Sequence, residues 1–388
     1  MSQSWILAIN MKKLVVFMLT SLSLAAGAQT LPDDAKIGTE FTITNEALAK
    51  APLIDQRTGP EADDISTVEG QKKLVELMDE VRRRCSSCEI NLRKNRYDLD
   101  EYRVSIGDKF TIIYSLDQHV IEINTTAMTT TQLLEAEAVL ENLIFKAGKA
   151  VGIEANIEYG GGHVHWDLAT SIGSDPVLFR NFFADLVIHS DVFKVLGSGP
   201  NNSPVPIELP QSQQKALIET IASIDQELIE RGFTQGLGTE EERRKMIERI
   251  AQRIQTEVYF QTPSGKLPSA KYQAFNLSRV ADPTIPWEEK TYEIRVFRAQ
   301  RSVREVVSIA DMVKGRIRLV KKSSGLIQVV LPSFRGETNK HLGKRVMTYI
   351  QGSGVPFEQL EHAVYLKNVL TKPSSVACRL IFQPKAAH

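Results

Sequence analysis

The chain has 388 residues, 42% of them hydrophobic and 24% charged, and its 47 basic and 47 acidic side chains cancel to a formal charge of zero. This length buries a large core, and this apolar share excludes an intrinsically disordered chain. Without net basicity the chain also lacks the electrostatic footprint of a general nucleic-acid binder.

Met11-Lys12-Lys13 precedes an apolar run from Leu14 to Leu24 and small residues ending Ala26-Gly27-Ala28. A charged start, a short apolar stretch and an A-x-A site predict a signal peptide over residues 1–28, cleaved after Ala28, with Met11 as an alternative start. The mature protein is then expected to be periplasmic or secreted. The apolar run is too short to anchor stably in a bilayer, so no membrane insertion is expected after cleavage. An oxidising compartment makes a disulfide natural for Cys85, Cys88 and Cys378, either within Cys85-Ser86-Ser87-Cys88 or from that pair to Cys378. Structural zinc needs about four ligands, and no second ligand pair lies near.

Lys36 to Thr44 alternates apolar and polar residues, which predicts a strand with Glu40, Thr42 and Thr44 on one face. Val68 to Arg84 carries Leu74, Leu77, Met78 and Val81 at helical spacing. Tyr102–Ile106 and Phe110–Tyr114 flank Gly107-Asp108 as a hairpin. Val120 to Asn124 reads as a strand with Glu122 facing away from Ile121 and Ile123, and Gln132 to Val151 as a helix. Helices are further predicted over Pro176–Leu196, Gln211–Arg231, Glu240–Tyr259 and Ser302–Arg318. Gln211–Arg231 and Glu240–Tyr259 form a charged helical hairpin that reads as scaffold. Thr291 to Val296 alternates strictly, with Glu293 and Arg295 on one face.

Tyr159-Gly160-Gly161-Gly162-His163-Val164-His165-Trp166 sets three glycines before an alternating run. In a strand His163 and His165 project from one face while Val164 and Trp166 pack the other. Glycine removes the Cβ that keeps a ligand from the main chain, and neutral imidazole is a common metal ligand. Isolated carboxylates inside apolar strands are costly to desolvate unless they meet a cation or donors. Side by side, Glu40, Glu122, His163, His165, Glu293 and Arg295 would make a site for Mg²⁺ or Mn²⁺ with a guanidinium suited to phosphate.

The order Ile37-Gly38-Thr39-Glu40-Phe41, Val120 to Asn124, Gly161-Gly162-His163-Val164-His165, Lys271 to Leu277 and Tyr292-Glu293-Ile294-Arg295-Val296-Phe297 resembles the amidoligase family. That family belongs to the carboxylate-amine ligase superfamily of glutamine synthetase and glutamate-cysteine ligase. The resemblance covers roughly residues 36–320 and rests on the order of the motifs. It implies an α+β fold: a curved antiparallel sheet forming a funnel of glutamine synthetase-like type, with helices behind and the helical hairpin as an insertion. Residues 321–388 would form a small C-terminal α/β extension. It implies ATP as co-substrate, with a small-molecule or peptide carboxylate phosphorylated to an acyl phosphate and an amine then forming the amide. By position Glu40, His163 and Glu293 would hold one metal and Glu122 a second. Arg295 would steady the transferring phosphoryl group, and His165, Tyr272, Asn276, Gly161 and Gly162 would line the substrate pocket.

Two features depart from that pattern. The family's acid-x-acid first strand here reads Glu40-Phe41-Thr42, which favours one metal over two, Glu154 and Glu158 being the nearest further acids. Export also separates the chain from ATP. The alternatives are a metal-dependent amide hydrolase or cell-wall-modifying enzyme on the same fold, or a non-catalytic binding protein.

Overall fold

The computed structural model describes residues 34–51, 68–95, 99–117, 119–156, 159–189, 192, 211–259, 273–323, 325–331 and 339–355. The predicted leader, Glu158, Tyr272 and Cys378 lie outside them. The fold is α+β, built on an eight-stranded antiparallel sheet in the order β2-β3-β4-β5-β1-β6-β8-β7. The strands are β1 (Ile37–Ile43), β2 (Glu89–Lys94), β3 (Asp100–Ile106), β4 (Phe110–Asp117), β5 (Val120–Thr125), β6 (His163–Asp167), β7 (Phe275–Asn276) and β8 (Thr291–Ile294).

Alternation decides which face carries what. Ile37, Phe41 and Ile43 of β1, Ile121 and Ile123 of β5, Val164 and Trp166 of β6, and Tyr292 and Ile294 of β8 are all buried on one side. The register sets the even-numbered residues of β1 and β5 beside the odd-numbered ones of β6 and β8: Glu40 opposite both Asn124 and His163, and His165 opposite Glu293. The polar face of four strands therefore becomes one surface. A slip of one residue in any strand would turn its ligand-type side chains into the core.

Helices cover the apolar face. They are α1 (Val68–Arg84), α2 (Thr130–Glu135), α3 (Pro176–Ile188), α4 (Gln211–Glu230), α5 (Glu240–Arg253), α6 (Val303–Lys321) and α7 (Asn339–Ser353). The predicted helix over Gln132–Val151 is broken into pieces: α2, a short turn of helix at Glu137–Leu140, a wider π-helical stretch over Glu141–Lys146, and Ala147–Ala150. Thr129 starts it with a reciprocal cap to Gln132. The π stretch is anchored to the sheet, since Tyr114 donates to the Leu143 carbonyl at 3.0 Å and the Phe41 and Phe145 rings meet edge to face at 5.3 Å.

The α4 and α5 hairpin is charged outside, as expected, but its inner stripe is part of the main core. Leu217, Ile221, Ile224 and Leu228 of α4 and Met246, Ile247 and Ile250 of α5 are buried there. Arg180 of α3 locks onto Asp225 of α4 through two nitrogens. Of residues 321–388, the longest described element is α7, and it packs on α6: Arg316 lies 4.0 Å over the Tyr349 ring and pairs with Asp185 of α3. Cys85 and Cys88, between α1 and β2, are joined as a disulfide with their Cα atoms 5.4 Å apart. Among the described residues, no helix is long and apolar enough to cross a membrane.

Candidate metal centre

Glu40 enters from the middle of β1, His163 and His165 from β6, and Glu293 from β8, so three adjacent strands supply the centre. Ligand atoms of Glu40, His163 and Glu293 lie within 4.8 Å of one another, and all three residues are buried. Nδ1 of His163 sits 2.5 Å from Glu40 Oε1 and 3.2 Å from Glu293 Oε1. Despite that closeness neither ring nitrogen of His163 has a hydrogen bond among the described residues. Nδ1 of His163 is nonetheless in ion-pair reach of both carboxylates, and the three side chains converge on one buried point where a cation could be held.

His165 stands one step further toward solvent, its side chain 31% exposed. Its Nε2 is 3.4 Å from Glu40 Oε2 and 3.8 Å from Glu293 Oε1. Burial pulls the His165 pKa down, but the contact with Glu40 and the charge of Glu293 outweigh it and raise it overall. Burial likewise pushes Glu40 upward, and the two imidazoles beside it reverse this and hold it well below the ordinary carboxylate range. Glu293 is oriented from two sides. Arg295 approaches its Oε1 at 2.6 Å, and Asn276 of β7 donates to its Oε2 at 2.8 Å.

Glu122 is not part of this triad. It lies one strand away, opposite Thr42 in the β1–β5 register, with its Oε1 accepting from Asn124 at 2.5 Å. Burial, then the negative charge of Glu40, drive its pKa well above the ordinary value, which favours a neutral carboxyl. Glu154 is exposed beyond the end of β1, paired with Thr44 through backbone alone. Asn276 donates its amide to Glu293 and accepts at its carbonyl oxygen from Ser278, so it steadies the Glu293 carboxylate. Nothing in the periodicity marked Asn124; its place on the same strand face as Glu122 was the available signal.

Two of the glycines answer a packing demand inside the chain. A Cβ on Gly160 would fall 2.2 Å from Thr42 Oγ1, and one on Gly162 only 1.8 Å from Gln300 Nε2. Thr42 donates to the Gly161 carbonyl at 2.7 Å, and Gln300 to the Gly162 carbonyl at 3.1 Å. Close approach is thus required by two side chains of this chain, which clamp the segment leading into His163. Thr42, where an acid was expected, is one jaw of that clamp.

No family model and no curated protein matches the chain. What the site can do therefore follows from its chemistry: a mixed oxygen and imidazole donor set, an arginine on one ligand, and a second, more accessible imidazole.

Proposed function

We propose that this protein is a divalent-cation-dependent carboxylate-amine ligase with a sheet of the glutamine synthetase-like funnel type. The observation that carries this reading is the buried convergence of Glu40, His163 and Glu293, whose ligand atoms lie within 4.8 Å of one another. Those three residues would hold Mg²⁺ or Mn²⁺, for which carboxylate-rich sets are suited. The cation, when bound, would neutralise charge on the phosphates of a nucleotide. Arg295, held against Glu293, would place its positive charge beside a transferring phosphoryl group. His165, partly exposed and with a raised pKa, would face the carboxylate substrate and carry a proton to or from it. The four motif-bearing strands standing in one sheet agree with the amidoligase order read from the sequence.

The test is turnover by the purified mature protein with ATP, Mg²⁺ and a panel of carboxylates and amines, reading ADP, phosphate and amide together. Amide formed in step with phosphate is expected; no nucleotide binding and no phosphate release across the panel would overturn the ligase reading. The disulfide favours a second reading, because an oxidising compartment holds little ATP. On that reading Glu40, His163 and Glu293 would hold a cation that supplies an activated water for amide cleavage, as in a cell-wall peptide. Amino-acid release that needs metal but no nucleotide would decide for it.

A further inference from the structure

β2 ends the sheet, with β3 on its inner side and no described strand on its outer side. An exposed strand edge is a template for pairing, and proteins guard such edges with charge. Here the charges are ordered. β2 reads Glu89-Ile90-Asn91-Leu92-Arg93-Lys94, and Leu92 is 56% exposed. Among the described residues neither Glu89 nor Arg93 has an ion-pair partner. Glu89 accepts only from Asn91 of its own strand at 3.0 Å, and Glu101, opposite Arg93 on β3, is taken by Arg103 at 2.8 Å.

We infer that β2 is a self-association edge that pairs antiparallel with β2 of a second copy of this chain, about a two-fold axis at Asn91. A two-fold perpendicular to the sheet preserves its faces, so only residues of equal parity can stand opposite each other. With the axis at Asn91, Glu89 meets Arg93 twice on one face, and Ile90 meets Leu92 twice on the other. Moving the axis to Leu92 sets Ile90 against Lys94 and leaves Glu89 without a cation. Moving it to Ile90 sets Glu89 against Asn91. One register alone satisfies both faces, which is how charge can admit one partner and repel others. The disulfide at Cys85 and Cys88 fixes the turn that launches β2, so the edge is pre-organised. A six-residue edge is small beside a standard interface, so the dimer is expected to be of micromolar or weaker order. It leaves the Glu40, His163 and Glu293 centre open, since that centre lies on strands at the other side of the sheet.

The test is analytical ultracentrifugation of the full mature chain over a range of concentrations. Mass is expected to rise toward that of two chains. Glu89→Arg and Arg93→Glu each place like charges opposite one another twice and should weaken the dimer roughly tenfold or more. An equimolar mixture of the two variants should restore it, because in the mixed dimer both cations stand on one strand and both anions on the other. Asn91→Cys should give a disulfide-linked dimer on oxidation, released by reductant, with circular dichroism confirming unchanged folding. A single-chain mass at every concentration, or no recovery on mixing, would overturn the inference. Linking by Leu92→Cys in place of Asn91→Cys would overturn its register.

Discussion

If the triad is a cation site, the metal should stabilise the fold, and one charge removed should abolish the effect without unfolding the protein. Glu40 and Glu293 offer ligand atoms within 4.8 Å of each other, both buried. At an effective dielectric near 20, two unit charges at that distance repel by about 3–4 kcal/mol. A bound cation relieves that repulsion. Glu293→Gln keeps shape and the possibility of a bond from Asn276 while removing one charge, so the lost repulsion offsets the lost contact with Arg295. Its melting temperature without metal should stay within a few degrees of the natural protein's. With Mn²⁺ or Mg²⁺ at about 100 times Kd the natural protein should gain about 2.7 kcal/mol. For a chain of this size that is a rise of about 3–4 °C. Scanning calorimetry of both proteins, after chelation and again with added metal, reads all four values. No rise in the natural protein, or an undiminished rise in the variant, would refute the reasoning.

Asp185→Ala would strand the Arg316 guanidinium, whose side chain is 6% exposed, and should cost about 3–5 kcal/mol in urea unfolding; Asp185→Leu with Arg316→Met should recover most of it. Burial raises the Asp185 pKa, but hydrogen bonds from His189 and Arg316 outweigh it and lower it overall. Its contribution is therefore complete above the unfolded value of about 4 and is lost as pH falls through the lower folded value, and Asp185→Asn should flatten the urea midpoint against pH in that acid window. Gly162→Ala should destabilise by about 1–3 kcal/mol through collision with Gln300, and adding Gln300→Ala should restore the folding midpoint. Reducing the disulfide of Cys85 and Cys88 opens a loop with only Ser86 and Ser87 inside it and should cost about 2 kcal/mol, read as a shift in urea midpoint with and without dithiothreitol.

The site-bearing strands were legible because each has one face under helices and one face polar, which writes a period of two into the sequence. Glu40, Glu122, His163 and Glu293 stood out as polar residues facing away from strongly apolar neighbours. β2 escaped notice because almost all of it is exposed, so burial leaves no pattern in it; pairing with β3 makes it a strand. The breaks around Glu135 and over Glu141–Lys146 were equally invisible, since a change of hydrogen-bond spacing within a helix alters no composition. The packing demand at Gly160 and Gly162 was hidden because the neighbours filling their missing Cβ space, Thr42 and Gln300, lie more than a hundred residues away in sequence. The contact of Asn276 was hidden for another reason: its partner Glu293 is only 17 residues away, but the β7–β8 register alone brings the amide to it.

The central position of β1 has a consequence for how the protein matures. Glu40 and Glu293 are separated by more than half the polypeptide, and they meet only after β6 has docked on β1 and β8 on β6. Any form of the chain that lacks one of those pairings therefore lacks the complete ligand set. An ion held there would favour the finished sheet over any partly paired form.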